Sequence, residues 1–138
     1  MRFYEAKRVI AASPERIWPI LTDARRLQDG TFGITKIEGQ IAEGRTITLW
    51  SEVDPKRAFK LRVDRLNPPG EMVWSSGMPL GLFRGTRWFR LRPVADGTEF
   101  HMREDYTGPM AGIIFKQIPD LTASMEQFAA ALAREAVR

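Results

Sequence analysis

Two residues of opposite charge, Arg87 and Glu104, are the side chains of this chain best placed to do chemistry together. They lie in the runs 83–93 and 98–106, which the turn at 94–97 separates and which we predict to form an antiparallel hairpin. The Arg87 guanidinium could donate to the carboxylate, carbonyl or phenolate of a ligand, and the Glu104 carboxylate could orient the guanidinium. In an enzyme, Glu104 could instead act as a general base while Arg87 stabilises a developing enolate.

The register of this hairpin determines what surrounds the pair. With Pro93 opposite Thr98, Arg87 falls opposite Glu104, because partners in an antiparallel pair keep a constant sum of residue numbers. Tyr106 lies two residues after Glu104, so its side chain should point to the same face of the sheet, where it could donate a hydrogen bond to a ligand or stack on it. The pairs nearer the turn on this face are apolar: Leu91 with Phe100, and Phe89 with Met102. Such a face is typical of a pocket with a polar end, and an ordinary ion pair at a solvated rim is the alternative.

Composition excludes several kinds of site. A chain of 138 residues can bury a core without further support, and we expect one domain over 1–138. The absence of cysteine excludes disulfides, thiolate metal sites and cysteine nucleophiles. The one histidine, His101, excludes multi-histidine metal sites, and its parity is opposite to that of Glu104, so we expect it at the surface. We therefore expect neither a metal nor another cofactor.

Charge and hydropathy limit the partners. The net charge is +4, but 21 basic and 17 acidic residues are interspersed without a basic run, so we expect no nucleic-acid partner. The N-terminus lacks a signal-peptide pattern, and no apolar stretch approaches the roughly 20 residues that span a membrane. We therefore expect a cytoplasmic protein that is not an integral membrane protein. A homodimer is left open, and Trp50 and Trp88, on the outer parity of their strands, are candidates for its interface.

The elements that must position the pair follow from turn residues and periodicity. Residues 2–11 predict a first strand, and Ser13-Pro14-Glu15 then predicts a helix start, with serine as the cap and proline at the first helical position. The loop at 77–81 fits either the mouth of a cavity or an ordinary connection. The other predicted elements are a helical turn at 24–27 and strands at 34–40, 46–53, 58–65 and 72–76, with breaks at 54–55 and 67–70.

The chain ends in a predicted long amphipathic helix. Six apolar residues at spacings of four and three form one stripe: Ile114, Ile118, Leu121, Met125, Phe128 and Leu132. Pro119 lies within this stripe, so the helix should kink or restart near 118–120. Because about six antiparallel strands precede it, we expect the helix to pack on their sheet.

This order of elements resembles the helix-grip fold of the SRPBCC, or START-like, superfamily. That superfamily joins steroidogenic-acute-regulatory-related lipid-transfer domains, birch-pollen-type allergens, polyketide cyclase/dehydrase-like proteins and coenzyme-Q-binding proteins, and this chain is most similar to the small bacterial polyketide cyclase/dehydrase-like members. The resemblance covers nearly the whole chain, and its motifs are Ser13-Pro14-Glu15-Arg16-Ile17-Trp18, Gly44, Met72-Val73-Trp74, Gly97-Thr98 and Glu104-Asp105-Tyr106-Thr107-Gly108.

The resemblance implies an α+β fold and a ligand cavity. The fold would be a curved antiparallel sheet of about six to seven strands wrapped around a long C-terminal helix, with two short helices after the first strand. A large, mainly apolar cavity would lie between sheet and helix. Strand parity and the resemblance together give the expected ligand-binding residues: Leu49, Leu61, Met72, Trp74, Arg87, Phe89, Met102, Glu104, Tyr106, Met125 and Phe128. For each apolar member, plain packing in the core is the alternative.

Three functions fit this pattern. The first is the binding of a small hydrophobic or aromatic ligand, such as a lipid, for carriage or sequestration. The second is a polyketide cyclase/dehydratase-type enzyme without metal or cofactor, with Glu104, Arg87 and Tyr106 as catalytic residues. The third is a protein-interaction module that resembles the chaperone co-activators of the superfamily.

Overall fold

Seven strands form one antiparallel sheet in the computed structural model, which describes residues 2–138. In chain order they are β1 (Phe3–Ile10), β2 (Ile34–Glu38), β3 (Thr46–Ser51), β4 (Asp54–Asn67), β5 (Glu71–Gly77), β6 (Arg84–Val94) and β7 (Gly97–Thr107). The spatial order is β1-β7-β6-β5-β4-β3-β2. From β2 to β7 each strand pairs with the next one in the chain. β1 pairs with β7 and forms one edge of the sheet, and β2 forms the other.

The helices are α1 (Pro14–Leu21), α2 (Ala24–Leu27), α3 (Ala111–Gln117) and α4 (Thr122–Ala136), with a 3-10 turn at Pro79–Gly81. The start of α1 is as predicted: Ser13 is the N-cap, its side chain accepts from the Arg16 backbone N–H at 3.3 Å, and Pro14 is the first helical residue. α4 packs against β1 and α1. The predicted helix-grip arrangement, an α+β fold with two short helices after the first strand, is confirmed.

The C-terminal helix is two helices rather than one. The restart predicted at Pro119 is confirmed: α3 ends at Gln117, and Ile118 adopts an extended conformation with φ −80° and ψ 135°. A residue that precedes proline is sterically disfavoured in the helical region, which explains the break. The continuous stripe is therefore wrong, since the three residues of its first half are only half-buried while those of its second half are buried: Ile114, Ile118 and Leu121, against Met125, Phe128 and Leu132.

β4 is longer than predicted. It begins at Asp54, four residues before the predicted start, and the preceding turn is formed by residues 52–53. Pro55 does not end the strand, because a proline near the beginning of a strand removes no donor from the middle of the ladder. Register shifts in the pairs on both sides of β4 mark irregularities that bend the sheet.

Phe128 of α4 occupies the space between the helix and the sheet. Its ring centroid lies 5.1 Å from Phe32, 5.7 Å from Phe89 and 6.2 Å from Phe100. We call the sheet face that carries Phe89 and Phe100 the inner face. Near the hairpin turn this face is a packed aromatic core, since the rings of Phe32, Phe89 and Phe100 are at most 1 % exposed.

Candidate functional site

The register predicted for the hairpin is confirmed, and it brings Arg87 and Glu104 together on the inner face. Pro93 pairs with Thr98, and Arg87 with Glu104. Arg87 Nε lies 3.2 Å from Glu104 Oε1, and Arg87 Nη2 donates to Glu104 Oε2 at 3.3 Å. The two side chains keep 23 % and 15 % of their exposure. The pair is thus largely withdrawn from water, although it is not sealed in the core.

The pair belongs to a row of four residues that crosses the sheet, and we call it the polar row. Trp74 of β5 pairs with Arg87, Arg87 with Glu104, and Glu104 with Tyr4 of β1. Residues in one row point to the same face of a sheet, so the row forms a strip across the inner face. Trp74 is 1 % exposed, and Tyr4 is half-buried. The indole therefore lies at the deep end of the strip.

Tyr106 completes the polar group from the same strand as Glu104. Its hydroxyl donates a hydrogen bond to Glu104 Oε2, which also accepts from Arg87. Burial raises the pKa of the Tyr106 phenol strongly, and the neighbouring negative charge and hydrogen bond of Glu104 raise it further. Tyr106 therefore remains a neutral phenol at physiological pH, and one carboxylate holds two donors.

Four rings pack together at the Tyr4 end of the polar row, and we call them the aromatic cluster: Tyr4, which is itself in the row, Phe83, Tyr106 and Phe115. Phe115 reaches the sheet from α3 and stacks on Tyr4 with a centroid separation of 5.1 Å. Tyr106 contacts Phe115 at 5.4 Å and stacks with Phe83 at 6.1 Å. Tyr4, Phe83 and Phe115 are absent from the set predicted from the sequence. The sequence shows that these residues are aromatic, but it could not show that they contact one another or Tyr106, because they belong to elements far apart in the chain.

Two buried side-chain nitrogen atoms within residues 2–138 have no hydrogen-bond acceptor, Trp74 Nε1 and Arg87 Nε. Arg87 Nε is within ion-pair distance of Glu104, but its N–H does not point at that oxygen. A buried donor without an acceptor costs about 1–3 kcal/mol. Both donors belong to adjacent members of the polar row, and both are inaccessible to solvent.

A pocket of about 370 Å³ opens at the end of the sheet beside this site. Leu61, Ser76 and Phe83 are among the residues that line it. Ser76, Gly85 and Tyr106 form the row next to the polar row. A Cβ atom at Gly85 would lie 3.8 Å from the Ser76 hydroxyl and from the Tyr106 ring, so the glycine leaves space between pocket and phenol.

The predicted ligand-binding residues fall into two groups. Trp74, Arg87 and Glu104 belong to the polar row, Tyr106 is hydrogen-bonded to it, and Leu61 lines the pocket. The remaining six are buried in the core: Leu49, Met72, Phe89, Met102, Met125 and Phe128. Contact of any member with a ligand stays a prediction.

The outer face carries the residues predicted for it. Trp88 lies there with the Arg90 guanidinium 3.8 Å from its ring centroid. His101 also lies on this face, but it is less exposed than expected, with 18 % of its side chain accessible. It is held between Trp88 and Glu5, whose Oε1 is 2.7 Å from His101 Nε2.

Two features are absent from residues 2–138, a group of metal-binding side chains and a membrane-spanning helix. No three histidine, cysteine or acidic side chains in this range are grouped so that they could hold a metal ion. No helix in the same range has both the length and the apolar character needed to cross a membrane.

Solved structures show the same architecture at low sequence identity. The protein MLL2253 of Mesorhizobium loti is 18 % identical with a TM-score of 0.75, and the match covers 99 % of this chain and 98 % of that one. A protein of Rhodobacter sphaeroides is 24 % identical with a TM-score of 0.73, covering 99 % and 92 %. DynU16, described as a protein in the dynemicin biosynthetic locus, is 15 % identical with a TM-score of 0.67, covering 97 % of this chain and 46 % of that one.

A comparison with curated proteins found no match. A family model described as "Polyketide cyclase / dehydrase and lipid transport" matches residues 1–137, all but the last residue. This match, over nearly the whole of a chain with the helix-grip fold, shows that the chain belongs to the polyketide cyclase/dehydrase and lipid transport family.

Proposed function

We propose that the protein binds a small, mainly apolar or aromatic ligand at the polar row, with Arg87 donating to a ligand oxygen and Glu104 orienting Arg87. The observation that carries this proposal is the Arg87–Glu104 ion pair on the inner face. The neighbouring pairs on this face, toward the hairpin turn, are apolar. A carboxylate, carbonyl or phenolate oxygen is the natural complement of an arginine donor. The family description, which joins cyclase chemistry and lipid transport, is consistent with such a ligand.

The energetics of the pair support a role beyond stability. Removing two charges from water costs several kcal/mol per ion, and a buried pair is often no more stabilising than apolar residues of the same volume. Stability alone is therefore a weak reason for charges on this face. The Arg87 side chain keeps 23 % of its exposure, so part of it is accessible to a ligand oxygen although Nε itself is buried.

The apolar part of the ligand would lie against the aromatic cluster. The pocket lined by Leu61, Ser76 and Phe83 is adjacent to that cluster, because Phe83 belongs to both. Gly85 leaves a gap about one carbon atom wide beside the Tyr106 ring, because a Cβ atom there would already contact Ser76 and the ring. A flat ring that bears an oxygen acceptor fits these surroundings.

The hydrogen bonds to Glu104 fit its role in orienting Arg87 and leave one oxygen that could act in a reaction. A general base must direct a free lone pair at the substrate. Glu104 already accepts hydrogen bonds from Arg87 and Tyr106. Both donate to Oε2, so Oε1 keeps free lone pairs, and a cyclase/dehydratase-type reaction with Glu104 as the base is the second candidate.

Thermal unfolding with a probe ligand tests the proposal. The probe ligand would be 2-naphthoate, an aromatic carboxylate, and naphthalene would be its uncharged control. The test variant would be Arg87→Leu. The matched control is Arg92→Leu, which removes the Arg92–Glu99 pair from the outer face of the same hairpin. We expect 2-naphthoate to raise Tm in the wild type and in Arg92→Leu but much less in Arg87→Leu. Equal shifts in the two variants would show that Arg87 is not the anchor.

A further inference from the structure

Exposed aliphatic side chains are concentrated in one loop and in the helix to whose start that loop is hydrogen-bonded. Of the seven large apolar side chains that are exposed within residues 2–138, four lie here: Met78, Leu80 and Leu82 after β5, and Ile113 in α3. We call these four the apolar rim. Their exposed fractions are 41 %, 97 %, 38 % and 62 %. Single exposed apolar residues are normal on a protein surface, whereas a group of them marks an interaction site.

Leu80 is held in an outward position by the backbone around it. Its φ is +62°, in the left-handed region that residues other than glycine rarely adopt. The Met78 N–H donates to the Phe83 carbonyl at 2.9 Å, which closes the loop at its base. The Met110 N–H donates to the Leu82 carbonyl at 2.9 Å, which ties the loop to the start of α3. The fold therefore presents a leucine to solvent at a conformational cost.

The surroundings of the apolar rim are basic. Residues 77–83 and 107–119 contain no acidic residue. Lys60, Arg62 and Arg84 line the same pocket as Met78, and Lys116 is exposed on α3. One acidic side chain, Asp64, pairs with both Arg62 and Arg84, so this group keeps an excess of positive charge.

We propose that the apolar rim docks on the surface of an anionic lipid bilayer, with Leu80 entering the acyl boundary and the surrounding bases meeting the headgroups. Aliphatic side chains among cations are the combination that binds such a surface. A stable protein interface would bury about 800 Å² per partner, more than a narrow loop tip offers, and its anchors are usually Trp, Tyr and Arg. This docking is a property of the surface and does not require the ligand proposed above.

Co-sedimentation with vesicles tests the docking directly. The vesicles contain phosphatidylcholine and phosphatidylglycerol in equal parts, and the test variant is Leu80→Asp. The matched control is Val53→Asp, which places the same charge at an exposed apolar residue in the turn between β3 and β4. We expect Leu80→Asp to lower the partition coefficient about tenfold or more, since the burial of one leucine is lost, while Val53→Asp binds as the wild type does. Vesicles of phosphatidylcholine alone should bind the wild type more weakly.

A fluorescent label gives a second readout that does not depend on a charge change. Because the chain has no cysteine, Leu80→Cys and Val53→Cys each provide a single labelling site. An environment-sensitive dye at position 80 should shift to shorter wavelength when the mixed vesicles are added, and the dye at position 53 should not. The proposal is overturned if the wild type fails to sediment with the mixed vesicles, if Leu80→Asp binds as tightly as Val53→Asp, or if the two labels respond alike.

Discussion

Tyr106 and Glu104, two residues apart on the inner face of β7, are joined by a hydrogen bond from the phenol to the carboxylate. The same carboxylate oxygen accepts from Arg87 across the hairpin. A phenol, a carboxylate and a guanidinium therefore form one hydrogen-bonded unit. The three side chains of this unit depend on one another. Tyr106→Phe removes the phenol hydroxyl, and Glu104→Leu removes the carboxylate that accepts from the other two.

The first prediction concerns the ionisation of Tyr106. Burial and Glu104 raise its pKa in the folded state, so the folded protein should not form the Tyr106 phenolate at pH values up to about 11. The phenolate absorbance of the wild type and of Tyr106→Phe should therefore follow the same curve in that range. An additional step in the wild type would contradict the buried position of the phenol.

The sign for stability follows from the same shift. A raised pKa in the folded state means that the unfolded chain loses this proton first, so stability falls as pH rises through the ordinary tyrosine pKa of about 10. Urea unfolding should show this loss in the wild type and a smaller loss in Tyr106→Phe.

The second prediction concerns the ion pair. Glu104→Leu leaves Arg87 partly buried without its partner and should cost about 1–3 kcal/mol in the free energy of unfolding. The double variant Arg87→Leu/Glu104→Leu should recover much of this loss, because no uncompensated charge remains. Urea unfolding of the single and double variants measures both effects.

The outer-face pair of the same hairpin provides the control. Glu99→Leu breaks the Arg92–Glu99 contact, in which Arg92 keeps 68 % of its side-chain exposure. An exposed pair contributes about 0.2–1 kcal/mol. A cost for Glu104→Leu no larger than that for Glu99→Leu would mean that the inner pair behaves as a surface pair.

The third prediction concerns acid stability on the outer face. Desolvation alone would raise the pKa of Glu71, but hydrogen bonds and charge attraction from Arg65 and Arg90 hold the pKa below its ordinary value. A folded-state pKa below the unfolded one gives stability that is complete above the unfolded pKa and is lost as pH falls through the folded one.

Glu71→Gln should therefore be less stable than the wild type at pH 7, by about 0.5–1 kcal/mol for a partly exposed network of this kind. The difference should shrink as the pH falls below about 4. Urea unfolding between neutral and acid pH measures it. A difference that stays constant with pH would indicate that Glu71 acts through packing rather than through its charge.

The fourth prediction concerns the space beside Tyr106. A Cβ atom at Gly85 would meet Ser76 and the Tyr106 ring at ordinary contact distance, so Gly85→Ala should fold normally. If the ligand passes through this space, Gly85→Ala should lower the Tm shift produced by 2-naphthoate, and Gly85→Val should lower it further. Unchanged shifts in both variants would place the ligand elsewhere, even if Arg87→Leu abolishes binding.

The register of the final hairpin is the part of the site that local sequence predicts well. The turn at 94–97 and the alternation of apolar residues on both sides leave one register that keeps Leu91, Phe100 and Phe89 on one face, and Arg87 then meets Glu104. The start of α1 at Ser13 and the break near Pro119 were predictable for a similar reason. Each depends on residues within a few positions of one another.

The surroundings of that pair depended on the tertiary structure. Tyr4 joins the polar row only because β1, at the opposite end of the chain, pairs with β7, and Phe115 reaches Tyr106 from α3, a helix separate from α4. Parity places a residue on a face but does not say what covers it, so Phe128 could not be assigned from the sequence to a packed core or a cavity wall. Turns and side-chain alternation depend on residues close together in the chain, so they can be predicted from the sequence. Burial is a property of all the packed elements together, and it decided which inner-face residues form the core and which remain available at the polar end.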